Sequence, residues 1–160
     1  MSNMTRDDWV DQCGRCLSDR GIKHFSALEI CDVGRTRQGP YRSAVLTSPP
    51  MELLENAWRL IDVLEWLRAL NGTSSVLINS WFRDQCYNRS CGGAPSSMHM
   101  TCGAADVSKV GSIPSEVADM LEDHPDARYF GIGRYKSFTH IDVRGLQSRP
   151  SPARWGSSTG

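Results

Sequence analysis

The sequence predicts an α+β domain in which helices pack on one face of a small, mostly antiparallel sheet, leaving a cleft on the other. Three observations carry this: one long segment of helical period over 51–70, several short apolar or alternating segments of strand length, and glycine- or proline-marked breaks between them. At 160 residues the chain is long enough to build one domain around its own core. The organisation expected is an N-terminal helical extension over 1–23, a main domain over 24–156 and a flexible tail over 157–160.

Within residues 1–23, Trp9, Val10, Cys13 and Leu17 give one apolar face and predict a single short helix. The stretch from His24 to Tyr41 reads as irregular, with Gly34, Gly39 and Pro40 as breakers. The best-defined element runs from Met51 to Leu70. Leu54, Ala57, Trp58, Ile61, Leu64 and either Leu67 or Trp66 recur at helical spacing, with Pro50 in front and Asn71-Gly72 as a left-handed stop. It is a core helix. Ser74 to Ser80 reads as a buried strand, Arg83 to Ser90 as a polar turn or short helix, and Ala104 to Val107 as a strand. Ser112 to His124 is a second helix, with Pro114 in its first turn. Tyr129–Tyr135 and Ser137–Val143 are two more strands, and from Gln147 the chain is rich in Pro, Ser and Gly.

Composition narrows the function. Lys plus Arg equals Asp plus Glu at 18 each, so no overall charge favours nucleic acid or an anionic membrane surface. No segment approaches the ~20 apolar residues that span a bilayer. The N-terminus lacks the charged-then-apolar layout of a signal peptide, which predicts synthesis in the cytoplasm. A monomer that binds neither nucleic acid nor membrane is expected. Six cysteines (Cys13, Cys16, Cys31, Cys86, Cys91, Cys102) read as core thiols or a local disulfide, because the Cys13-Gly14-Arg15-Cys16 pair has no second such pair to complete a zinc ribbon.

The chemistry concentrates in two stretches, Ser96 to Asp106 and Phe138 to Arg144, which together carry His99, Asp106, His140 and Asp142 among small and apolar residues. In an extended segment His140 and Asp142 share a face with Phe138, while Thr139, Ile141 and Val143 face the other way toward the helices. His99 and Asp106 are separated by a loop ending in Gly103-Ala104-Ala105, whose small side chains let an imidazole and a carboxylate meet at one ion. Two histidines and one carboxylate fill three positions of a tetrahedral zinc site and leave the fourth for water. Cys102 is an alternative ligand to Asp106. His24 and His124 read as surface or structural residues.

The wider string resembles a known signature. Ser97, His99, Ala104 and Asp106 stand where the zinc D-Ala-D-Ala carboxypeptidase and L,D-endopeptidase family, the M15-type peptidoglycan peptidases, has its S-x-H-x-x-G-x-A-x-D motif. Cys102 occupies the glycine position, and Gly103 beside it is expected to relieve the loop. Asn79 to Asn88 resembles a second family segment, with Trp81 in place of a glycine. His24-Phe25-Ser26-x-x-Glu29 resembles the family's N-terminal portion, and Gly131–Tyr135, Phe138–Arg144 and Arg154-Trp155 resemble the ending of one branch, so the likeness runs from His24 to Trp155. It implies zinc bound by His99, Asp106 and His140, with Arg83 steadying the oxyanion of an amide-hydrolysis intermediate. Where many members carry an acid, three places before the last histidine, this chain has Ser137. Asp142 therefore has two candidate roles, general base or carboxylate orienting a ligand. The substrates implied are D-amino-acid-containing stem or cross-link peptides of peptidoglycan, in an endolysin-like enzyme released to the wall by another factor. A D-Ala-D-Ala carboxypeptidase and a weakly catalytic zinc-binding module are the alternatives.

Overall fold

The computed structural model describes residues 4–31 and 48–156, which form an α+β domain built on a five-stranded sheet. Helix α1 (Arg6–Asp19) opens on a reciprocal cap: the Thr5 hydroxyl accepts from the Asp8 amide, and the Asp8 carboxylate accepts from the Thr5 amide. Its buried residues are Trp9, Cys13 and Leu17, on the face the spacing predicts, and they join the same apolar core as the rest of the chain.

Helix α2 (Ala27–Cys31) falls inside the stretch expected to be irregular, and the remainder of that stretch, 32–41, lies outside the described residues. Five residues are too few to show a period, but Ser26-Ala27-Leu28-Glu29 is a capping box, and Glu29 does accept from the Ser26 amide at 2.8 Å. Helix α3 (Leu54–Ala69), entered through a single 3-10 turn at Met51–Leu53, buries Leu54, Ala57, Trp58, Leu60, Ile61, Val63, Leu64 and Leu67. It stops where predicted, with Asn71 and Gly72 both at positive φ (54° and 80°). Among the described residues no helix is long and apolar enough to cross a membrane.

The strands are β1 (Val76–Ser80), β2 (Ala104–Lys109), β3 (Gly131–Arg134), β4 (Thr139–Asp142) and β5 (Ala153–Gly156), in the spatial order β1-β2-β4-β3-β5. All neighbours are antiparallel except β3 and β5. β5 is an addition to the expected sheet: four residues between Pro152 and Gly156 show only two alternations, too little to separate an edge strand from a loop. Helix α4 (Gln85–Ser90) follows β1, and helix α5 (Pro114–Glu122) packs across β2, β3 and β4.

The two faces of the sheet divide the labour as alternation requires. Ala105, Val107, Ile132 and Ile141 are fully buried on the helix side, where Thr139 donates to the Pro114 carbonyl of α5. Asp106, His140 and Asp142 occupy the other side. Gly131 and Gly133 keep that side open, since a Cβ at either position would lie 2.4 Å from the Asp142 carboxylate or 2.5 Å from the Trp155 indole.

Candidate metal centre

The site forms where three pieces of chain meet. The first is the single 3-10 turn Met98–Thr101, capped by the Ser97 hydroxyl accepting from the His99 amide at 3.3 Å. The second and third are β2 and β4, whose register sets Asp106 directly across from His140. A break in the β1–β2 register between Ile78 and Ser80 brings Ser80 opposite Asp106, so the chain leaving β1 runs past the site and delivers Trp81 and Arg83.

His99, Asp106 and His140 are all buried, and one donor atom from each lies within 4.8 Å of the other two. Each imidazole is fixed from behind. His99 Nδ1 lies 2.7 Å from the Trp81 carbonyl, which can only accept, and His140 Nε2 lies 2.9 Å from Asp142 Oδ2. The remaining nitrogens, His99 Nε2 and His140 Nδ1, both point at Asp106 Oδ1, at 3.2 and 3.0 Å. Two ring nitrogens converging on one carboxylate oxygen form a favourable arrangement only with positive charge between them, as protons or as a metal ion. The residues thus fit a divalent cation by donor type, by convergence and by the orientation imposed from the second ring atoms.

The electrostatics agree. Burial alone would raise the Asp106 carboxyl, but the imidazoles of His99 and His140 hold it far below the usual carboxylate range. Burial pushes His99 down. At His140 it is outweighed by the Asp106 and Asp142 carboxylates, which raise that imidazole. Asp142 is fully buried and saturated. Its Oδ1 accepts from the Gly131 amide and from the Arg144 amide and Nε; its Oδ2 accepts from Arg144 Nη2 and faces His140. Burial would raise this carboxyl too, yet Arg144 and His140 keep it well below its ordinary range.

Arg83 pairs with the outer oxygen of Asp106 and is steadied by donating Nε to the Ser80 hydroxyl at 2.9 Å. It divides two openings. One is a cleft of about 750 Å³ bordered by the loop at 92–97, by His140, and by Tyr135, Phe138 and Trp155; the other is a side pocket of about 470 Å³ reaching Asn79, Tyr87 and Ser137. Tyr135 stacks on Phe138 at 4.5 Å, and the Trp155 indole donates to the Tyr135 hydroxyl at 2.9 Å, so the aromatic side is a braced wall. Ser137 is exposed in the turn before β4.

Arg83, His99, Asp106, His140 and Asp142 therefore line one cleft. Cys102 does not: its thiol is buried in the core and stands outside the His-Asp-His group. The loop expectation is corrected as well. Cys102 itself takes the left-handed conformation (φ 64°), and Gly103 does not. A Cβ at Gly103 would meet the end of the Gln147 side chain, which would have to move aside. All six cysteines are free thiols. His24 pairs with Glu65 at 2.9 Å, and His124 packs between Trp66 and Phe130, both away from the site. Sequence reasoning missed the Trp81 carbonyl, a backbone group with no side-chain signature. It also missed the Trp81 indole, which donates to the Cys102 carbonyl at 2.9 Å and holds the loop.

The peptidase M15 family model matches residues 23–142, most of the chain, from the start of the region before α2 to the end of β4. The chain belongs to the M15 peptidase family. No curated protein matches it. M15 peptidases are in general zinc enzymes, and the His-Asp-His group lies inside the matched region, whereas Arg144, Arg149 and Trp155 line the cleft from beyond it.

Proposed function

We propose that this M15 peptidase is a zinc enzyme that hydrolyses amide bonds in D-amino-acid-containing peptides of peptidoglycan. The observation that carries the reading is the convergence of His99 Nε2 and His140 Nδ1 on Asp106 Oδ1 at the floor of an open cleft. His99, Asp106 and His140 would hold the ion. Zinc bound there supplies Lewis acidity, polarising the scissile carbonyl and lowering the pKa of water toward ~7.

The protein's own groups do the rest. Arg83, permanently charged and beside Asp106, is placed to meet negative charge developing on the carbonyl oxygen. Its bond to Ser80 limits its motion, so that charge is pre-positioned. Asp142 enters as the residue that orients His140. Supporting this over a role as general base are its full burial and the five N–H groups around its two oxygens, which leave little basicity. Tyr135, Phe138 and Trp155 form an apolar wall against which a peptide can lie.

The test is digestion of purified peptidoglycan by zinc-loaded protein, with new termini identified by mass spectrometry, beside His140→Ala and with metal content measured in both. New amino termini with wild type alone are expected. Free D-Ala as the sole product would replace the endopeptidase with a carboxypeptidase. Stoichiometric zinc without any cleavage would leave a metal-binding module, and no metal uptake would defeat the reading.

A further inference from the structure

We propose that Arg149 is the residue by which the cleft recognises a carboxylate on its peptide ligand, a refinement that rests on the peptidase reading above. Three guanidinium groups line the cleft, those of Arg83, Arg144 and Arg149. Two are already matched: Arg83 with Asp106, and Arg144 through two bonds with Asp142. Arg149 forms no ion pair among the described residues. It donates Nη1 to the backbone carbonyl of Ser96 at 3.0 Å, a neutral acceptor.

The charge left over is local. Asp106 and Asp142 are the carboxylates that line the cleft among the described residues, so three cations face two anions before any metal ion is counted. The chain as a whole carries 18 basic and 18 acidic residues, so this excess belongs to the cleft and not to the composition. The side pocket beyond Arg83 offers neutral polar groups instead, from Asn79, Tyr87, Ser108 and Ser137. A negatively charged group on a bound peptide is therefore drawn to the Arg149 end.

Geometry keeps that end in place. Ser148 takes the left-handed conformation (φ 58°), and the Arg149 amide donates back to the Arg144 carbonyl at 3.0 Å, so the backbone is pinned. The side chain then crosses to Ser96, three residues before His99. A guanidinium has five N–H donors in a planar fork, and the single bond to Ser96 leaves donors for a carboxylate. Lysine could supply the charge but not the two-pronged fit. Arg149 lies beyond residue 142, where the family match ends.

A carboxylate can come from a free C-terminus or from an acidic side chain, and the test separates the two. Three dye-labelled probes are needed: a stem-type peptide of alternating L- and D-residues with one D-glutamate and a free C-terminus, its C-terminally amidated form, and its D-glutamine form. Their binding to zinc-supplied wild type, Arg149→Met and Arg149→Lys is measured by fluorescence anisotropy, and cleavage is followed by mass spectrometry in the same samples. One neutralised peptide should bind wild type about tenfold to a hundredfold more weakly than the parent, the range for a charge-assisted bond. Which peptide weakens identifies the carboxylate. Arg149→Met should bind the parent as weakly and no longer distinguish the pair, with Arg149→Lys between. The proposal is overturned if Arg149→Met keeps the wild-type discrimination, or if wild type binds all three probes alike or none. Binding that depends on the carboxylate and on Arg149 but leads to no cleavage would sink the peptidase reading and leave this one standing.

Discussion

His140 Nε2 sits 2.9 Å from Asp142 Oδ2, and that contact decides which nitrogen of the ring faces Asp106. Arg144 locks the carboxylate from the other side, so ring, carboxylate and guanidinium form one rigid line from the cleft floor to β4. If Asp142 orients a ligand, Asp142→Asn should weaken zinc binding about 10- to 100-fold. Chelator competition measures this, with thermal unfolding run alongside to register the loss of the Arg144 pair. Unchanged zinc affinity with abolished cleavage would instead make Asp142 the proton acceptor.

Metal binding should release protons. In the metal-free protein His140 lies between two carboxylates that raise its pKa, so its ring holds a proton at pH values where an unperturbed histidine has begun to lose it. The sign follows directly. This protonation stabilises the metal-free fold fully below the unfolded value of about 6.5, and the benefit is lost as pH rises through the raised folded value. Zinc requires the deprotonated nitrogen, so its affinity runs the other way and falls as pH drops. Calorimetric titration with zinc in two buffers of different ionisation enthalpy should give different apparent enthalpies at pH 6.5. Equal enthalpies would mean that no proton leaves.

Much of this was legible in the sequence because it rests on side-chain type and period. The alternation around His140 assigned His140 and Asp142 to the cleft face and Thr139 and Ile141 to the helix face, as the strands place them. The α3 period named most of the buried residues of that helix but not Leu60 and Val63, which lie beside the predicted stripe. What stayed hidden depends on backbone groups and on distant pairings. The Trp81 carbonyl behind His99 has no side-chain signal, and β5 is recognisable only once β3 offers an edge to pair with. Asp142 could be assigned a face but not a role, because its partners, Gly131 and Arg144, are set by the register of β3 against β4.

Cys102 makes a separate prediction. It stands at the position where the family signature has glycine, and its backbone is left-handed with φ 64°. Its thiol is fully buried, and burial among neighbouring Cys13 and Cys31 pushes its pKa upward, so it is an inert packing group. Cys102→Gly should remove about 1 kcal/mol of conformational strain and lose a comparable amount of burial, changing stability by less than ~1 kcal/mol with zinc affinity kept. Cys102→Val should cost more than about 2 kcal/mol, because a β-branched residue is poorly tolerated there and the turn carrying His99 shifts. Denaturant unfolding of both variants checks this, and a well-tolerated valine would show that the loop does not need the left-handed residue.

Lys109 tests whether the far side of the sheet is independent of the site. It lies at the end of β2 on the helix face, 3% exposed, and donates Nζ to the Leu67 and Arg68 carbonyls at 2.9 and 3.2 Å. These are the last carbonyls of α3, so the ammonium serves as that helix's C-terminal cap and meets the negative end of its dipole. Burial, with a smaller contribution from Arg68, lowers its pKa. Lys109→Met keeps the length of the side chain and removes the charged donor, leaving the Leu67 and Arg68 carbonyls with only their long backbone bonds from the Leu70 and Ser74 amides, at 3.4 and 3.3 Å. The expected loss is about 1–3 kcal/mol in denaturant unfolding. Zinc affinity should be unchanged, since Asp106 faces the opposite side of the same strand. A parallel loss of zinc binding would mean that the position of β2, and with it Asp106, depends on its anchorage to α3.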